Sequence, residues 1–109
     1  MVSDAISPYG LKEGIYKWDK RVVYSEEGSC RLEDGTLAGS TVGQLKACQN
    51  LAQWSREPSA SIWSATVSPR FVLEPERKLD QYLVGKSLKH LLRWTLNTEN
   101  NELSWQQAA

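Results

Sequence analysis

The sequence predicts an α/β fold, and three patterns predict it. Residues 14–24 place Ile15, Tyr16 and Trp18 before a polar Asp19-Lys20 pair and Val22, Val23 and Tyr24 after it, the composition of a β-hairpin. Thr41 and Gln44 have capping-box spacing, and Val42, Leu45, Cys48, Leu51, Ala52 and Trp54 then recur at helical intervals. Near the end, alternating Leu92, Trp94 and Leu96 are answered by Leu103 and Trp105.

Taken in order, residues 1–10 open with two or three strand-like positions, cut short by Pro8 and Gly10. The 14–24 hairpin follows, its turn type left open because the turn lacks Gly. Cys30-Arg31-Leu32 adds a short third strand before Asp34-Gly35, a dipeptide that tolerates the positive φ of a tight turn. The first helix is expected at 41–55. A second, shorter one starts near Pro58, buries Ile62, Trp63, Thr66 and Val67, and stops at Pro69, with Phe71, Val72 and Leu73 packing back on it. After the charged connector 74–78, Tyr82 to Gly85 and the 91–96 and 103–105 segments are expected as β, and residues 106–109 as a fraying end.

A chain of 109 residues is one domain's worth of protein, able to bury somewhat over ~60% of its unfolded surface. Thirteen basic and thirteen acidic residues cancel, and no basic stripe runs along the chain, which argues against a nucleic-acid partner. No stretch approaches the ~20 apolar residues that span a bilayer, so no membrane partner is expected. Cys30 and Cys48 lie apart and no signal peptide precedes them, which favours reduced thiols and a cytoplasmic location.

Few residues could carry chemistry by type alone. His90, the single histidine, stands between Lys89 and the nearby Arg93 and reads as a surface or packing residue. With no His-x-His, Glu-x-x-His or Cys-x-x-Cys, no metal site is expected within this chain. The five tryptophans occupy apolar-stripe or cross-strand positions and are expected in cores. Asp4, before a Pro-containing loop, is by itself a turn or cap former. Leu37-Ala38-Gly39 is a small-residue segment leading toward a helix start, able to let backbone approach a ligand and equally able to be an ordinary turn.

Asp34-Gly35-Thr36-Leu37-Ala38-Gly39-Ser40, taken with Val2-Ser3-Asp4-Ala5, resembles the N-acetylglucosamine-6-phosphate deacetylases of the amidohydrolase superfamily. The resemblance extends through residues 44–51 and the Ala65-Thr66-Val67-Ser68-Pro69-Arg70 segment, where Ser68 stands in place of the family's usual Asn. It weakens further on, where Lys89-His90 replaces an expected Ala-Asp. It implies a C-terminal fragment of a (β/α)8 barrel over residues 1–75 (end of the last strand, hairpin, two helices) and part of a small β-domain over 76–109.

The same resemblance implies catalysis by Asp4 and substrate contact by Leu37, Ala38 and Gly39. The parent family hydrolyses an amino-sugar phosphate with a divalent metal, Zn or Fe, whose ligands come from earlier barrel strands. By that reading Met1 is an internal start or an expression boundary, and the isolated chain is inactive. A barrel remnant would expose strand edges and a helix stripe, so it is expected to need a complementing chain, to self-associate, to rearrange or to stay partly molten. The alternative, from a different class, is a non-catalytic protein-interaction module derived from the enzyme.

Overall fold

The computed structural model describes residues 1–109 as a mixed α/β chain with two antiparallel sheets and intervening helices. The chain divides into two compact units, residues 2–47 and Met1 with residues 48–109, so that the boundary falls inside the first helix. This contact-based division is distinct from the 1–75 and 76–109 division that the resemblance implies.

In residues 2–47, β1 (Gly14–Trp18), β2 (Arg21–Glu26), β3 (Ser29–Arg31) and β4 (Leu37–Ser40) form a meander in the order β1-β2-β3-β4. Asp19 opens the first turn with φ 55°, a left-handed conformation that Asp tolerates better than most residues. The register pairs Tyr16 with Val23 and Ser25 with Cys30, then Cys30 with Gly39, so these residues share one face. Val23, Ser25 and Cys30 are buried there.

The opposite face carries Ile15, Val22, Tyr24 and Leu37, all exposed. Between β3 and β4 the register slips at Cys30/Arg31, which leaves Ala38 as the extra residue of a β-bulge.

Helix α1 (Gln44–Ser55) begins three residues after the expected start. The Thr41 amide donates to the Gly28 carbonyl at 2.9 Å and the Val42 amide to Ser40 Oγ at 3.2 Å, which ties 41–42 to the sheet. The first helical bond runs from the Ala47 amide to the Gly43 carbonyl at 2.9 Å.

The core of residues 48–109 gathers Cys48 and Ala52 of α1 with Leu103, and Met1, Ile62, Ala65 and Trp94 pack around them. Gln49 Nε2 donates to the Leu103 carbonyl at 2.7 Å and Asn101 Nδ2 to that of Ala52 at 2.9 Å, fixing the terminal hairpin on α1. That hairpin joins β5 (Leu92–Asn97) to β6 (Glu102–Gln107), with Trp94 opposite Trp105 and Leu96 opposite Leu103, the cross-strand pairs that the alternation predicts.

Three expectations for this region are corrected. Helix α2 (Pro58–Leu73) runs through Pro69 rather than ending there, so Phe71, Val72 and Leu73 form its last turn; Val72 and Leu73 are exposed, while the Phe71 ring packs edge-on against Trp63 with centroids 6.3 Å apart. The Arg70 guanidinium donates to the Thr66 carbonyl, and the Tyr82 hydroxyl reaches the carbonyls of Arg70 and Glu74 at 3.2 and 3.3 Å, which holds the turn beyond the proline.

Tyr82 lies in a short helix, α3 (Leu79–Leu83), and not in a strand. The Lys78 amide donates to Gln81 Oε1 at 2.9 Å at its start, and Gly85 at φ 80° follows its end as a left-handed stop. The tryptophans are less buried than expected: Trp54 is 76% exposed, Trp63 48% and Trp105 42%. Trp18 is half-buried beneath Arg21, whose guanidinium carbon is 4.7 Å from the ring centroid.

Candidate functional site

Asp4 and the Leu37–Ser40 strand, more than thirty residues apart in sequence, are hydrogen-bonded neighbours. The Ser40 amide donates to the Asp4 carbonyl at 2.8 Å, and the Ile6 amide donates back to the Ser40 carbonyl at 3.0 Å, so Ala5 and Ser40 form a parallel bridge. Ser40 Oγ adds a donation to the Ser3 carbonyl at 2.6 Å. Residues 3–6 therefore lie along the outer edge of β4.

Glycine at 39 is required by this approach. A Cβ there would stand 2.8 Å from Ile6 Cγ2 and 2.9 Å from the Asp4 carbonyl oxygen, distances that real Cβ contacts do not reach. Asp4 itself is exposed and takes φ 53°, a strained choice for a non-glycine residue that its two-sided attachment to β4 sustains. Leu37 is 59% exposed, Ala38 is half-buried at the bulge and Gly39 is buried, so the three residues grade from surface to interior beside Asp4.

The turn before β4 is built tightly. Asp34 Oδ1 accepts from the Thr36 amide at 2.9 Å, the Leu32 amide donates to the Thr36 carbonyl at 2.8 Å, and Arg31 Nη1 donates to the Gly35 carbonyl at 3.0 Å. The Thr36 amide, followed by the Thr36 side chain, holds the Asp34 carboxyl below its ordinary value of 3.8. Gly35 sits at φ 85°, the left-handed conformation that the Asp-Gly dipeptide predicts.

Sequence reasoning named Asp4, Leu37, Ala38 and Gly39, but not Ser40 and Ile6, which bind the two segments together. Their role depends on backbone groups and a short hydroxyl, and no side-chain pattern signals it. A groove of about 620 Å3, lined by Lys20, Arg21, Val22, Leu32, Glu33 and Asp34, does not include Asp4.

The residues present do not fit a divalent metal. No three His, Cys, Asp or Glu side chains converge, Cys30 and Cys48 are each buried and free, and His90 is exposed in the 3-10 turn Leu88–His90. No helix is long and apolar enough to cross a membrane.

No protein-family model matches the chain. Over 87 residues, 79% of its length, it is 29% identical to an N-acetylglucosamine-6-phosphate deacetylase of Vibrio furnissii. The matched region is 22% of that protein, so the chain spans about a fifth of the length of this curated relative. A crystal structure of N-acetylglucosamine-6-phosphate deacetylase from Thermotoga maritima matches 38% of this chain and 11% of its own, with 54% identity and a TM-score of 0.36. The chain is thus similar, over a partial region, to the N-acetylglucosamine-6-phosphate deacetylases.

Proposed function

We propose that this chain is the C-terminal portion of a deacetylase that hydrolyses N-acetylglucosamine 6-phosphate to glucosamine 6-phosphate and acetate. The observation that carries the reading is the similarity over 79% of the chain to a deacetylase of that specificity. The backbone attachment of Asp4 to β4 supports it, since it puts the one carboxylate of the resemblance beside the small-residue segment that would face the sugar.

In this reading the Asp4 carboxylate takes a proton from the attacking water and returns it to the leaving nitrogen. Water oxygen bonds to the acetyl carbon, the carbon–nitrogen bond breaks, and acetate and the free amine separate. Leu37, Ala38 and Gly39 line the sugar, with the absent Cβ of Gly39 letting residues 4–6 lie close against this strand. The finer fold reading, a remnant of a (β/α)8 barrel with part of a small β-domain, belongs to the same proposal. So do the cytoplasmic location and a complementing chain that supplies the metal ligands and the phosphate grip; without them the isolated chain is inactive.

Two assays test this. A chimera in which the Vibrio furnissii enzyme carries this chain in place of its matched segment is expected to release acetate from N-acetylglucosamine 6-phosphate; a folded but inactive chimera would count against the assignment. The 109-residue chain alone, with Zn, Fe or Mn added, is expected to release none, and turnover by it would refute the incomplete-site reading.

A further inference from the structure

Asp4 takes φ 53°, and no hydrogen bond or ion pair holds its carboxylate. Because peptide units are planar, the direction in which the Asp4 Cα–Cβ bond leaves the chain is decided by the two peptide planes that meet at its Cα. One residue bonds to both planes. Ser40 Oγ donates to the Ser3 carbonyl at 2.6 Å, in the plane before the Asp4 Cα, and the Ser40 amide donates to the Asp4 carbonyl at 2.8 Å, in the plane after it.

The two bonds differ in what they ask of the sequence. Any residue but proline supplies the amide at position 40, whereas the other bond needs a short hydroxyl side chain. That hydroxyl is itself oriented: the half-buried Ser40 Oγ accepts from the Val42 amide at 3.2 Å, which leaves its hydrogen for the Ser3 carbonyl. A left-handed φ is unfavourable for a residue with a Cβ. Without the hydroxyl bond the Ser3–Asp4 plane is free to turn back toward negative φ, and the carboxylate moves with it.

From this geometry we infer that Ser40 is a positioning residue for the deacetylation, its hydroxyl holding Asp4 in the conformation from which the carboxylate reaches the attacking water. This role rests on the reading of Asp4 as the proton carrier. The Ser40 hydroxyl touches neither water nor sugar and acts only through Asp4. Its loss therefore slows turnover and leaves sugar binding by Leu37, Ala38 and Gly39 in place.

The test uses the Vibrio furnissii chimera together with the 109-residue chain. In the chimera, Ser40→Ala is expected to lower kcat for N-acetylglucosamine 6-phosphate about 10- to 10²-fold, with KM little changed. Ser40→Thr keeps a hydroxyl at a strand position that accepts β-branching, and is expected to restore most of the turnover. In the Asp4→Asn background Ser40→Ala should slow the reaction no further, since a residue that acts through Asp4 then has nothing to position. A general loss of structure would lower activity in both backgrounds.

In the chain alone, the one-bond Cα–Hα coupling of Asp4, which reports the sign of φ, is expected to show the left-handed conformation in the parent and in Ser40→Thr and to lose it in Ser40→Ala. Far-UV circular dichroism checks that each variant is folded. An alanine variant as fast as the parent, a threonine variant as slow as the alanine one, equal falls in both backgrounds, or an Asp4 coupling indifferent to Ser40→Ala would overturn the inference. Asp4→Asn without effect would overturn the underlying reading as well, whereas a fall with Asp4→Asn and none with Ser40→Ala would overturn only the role of Ser40.

Discussion

The Ser40 amide donates to the Asp4 carbonyl at 2.8 Å, and a side chain at Gly39 would collide with that same carbonyl oxygen. This bond, the Ile6 amide and Ser40 hydroxyl bonds beside it and the missing Cβ together keep the N-terminal segment on the edge of β4. The geometry around Asp4 depends on backbone contacts from its neighbours, and its own carboxylate stays exposed.

Gly39→Ala should therefore loosen this attachment. Contact at 2.8 Å with Ile6 could be relieved by a side-chain shift, but contact at 2.9 Å with the Asp4 carbonyl requires the backbone to move. A destabilisation of about 1–3 kcal/mol is expected. Hydrogen exchange should show the Ser40 and Ile6 amides losing protection in the variant, while an unchanged exchange pattern would show that the close approach is not structurally required.

Ser61 and Cys48 are both buried, with Ser61 Oγ donating to the Cys48 carbonyl at 2.6 Å and lying 3.3 Å from Cys48 Sγ. Ser61→Ala removes this link between α1 and α2 and is expected to cost about 1 kcal/mol in urea unfolding. Ser61→Val should cost more, because it adds volume where no space is free. Equal stability of all three proteins would deny the contact any energetic role.

Two exposed carboxylates contribute to the acid side of the stability profile. The Thr36 amide holds Asp34 below 3.8, and the Arg77 guanidinium, bonded to Glu74 Oε2 at 2.9 Å, holds Glu74 below 4.5. A carboxyl depressed in the folded state adds stability above its unfolded pKa and loses it as pH falls through the folded value. The contribution is thus complete above the unfolded values and disappears as pH falls through the lower, folded ones. Asp34→Asn should flatten this decline in melting temperature, and the Thr36 amide resonance should titrate with Asp34 in the parent.

The elements visible in the sequence are those set by local pattern. The 14–24 hairpin and the 92–107 hairpin form with the expected pairs because alternating apolar residues and short polar turns specify register directly. The misplaced boundaries depend on distant partners. Residues 41–42 are held outside α1 by bonds to the Gly28 carbonyl and the Ser40 hydroxyl, Pro69 is carried past by the Arg70 and Tyr82 contacts, and Tyr82 is drawn into a helix whose left-handed stop, Gly85, was the available local sign.

Tryptophan burial could not be read from spacing, since a stripe gives the direction of a side chain but not whether anything covers it. At the candidate site the residue types of Asp4, Leu37, Ala38 and Gly39 were legible. The bulge at Ala38 and the parallel bridge at Ser40 were not, because both belong to the backbone.

The most direct test of the account is the rate of acetate release by the Vibrio furnissii chimera carrying the single substitution Asp4→Asn. If Asp4 takes and returns the proton, kcat should fall about 10²- to 10⁴-fold with the fold retained. A substituted chimera as active as its parent would contradict the assignment of Asp4.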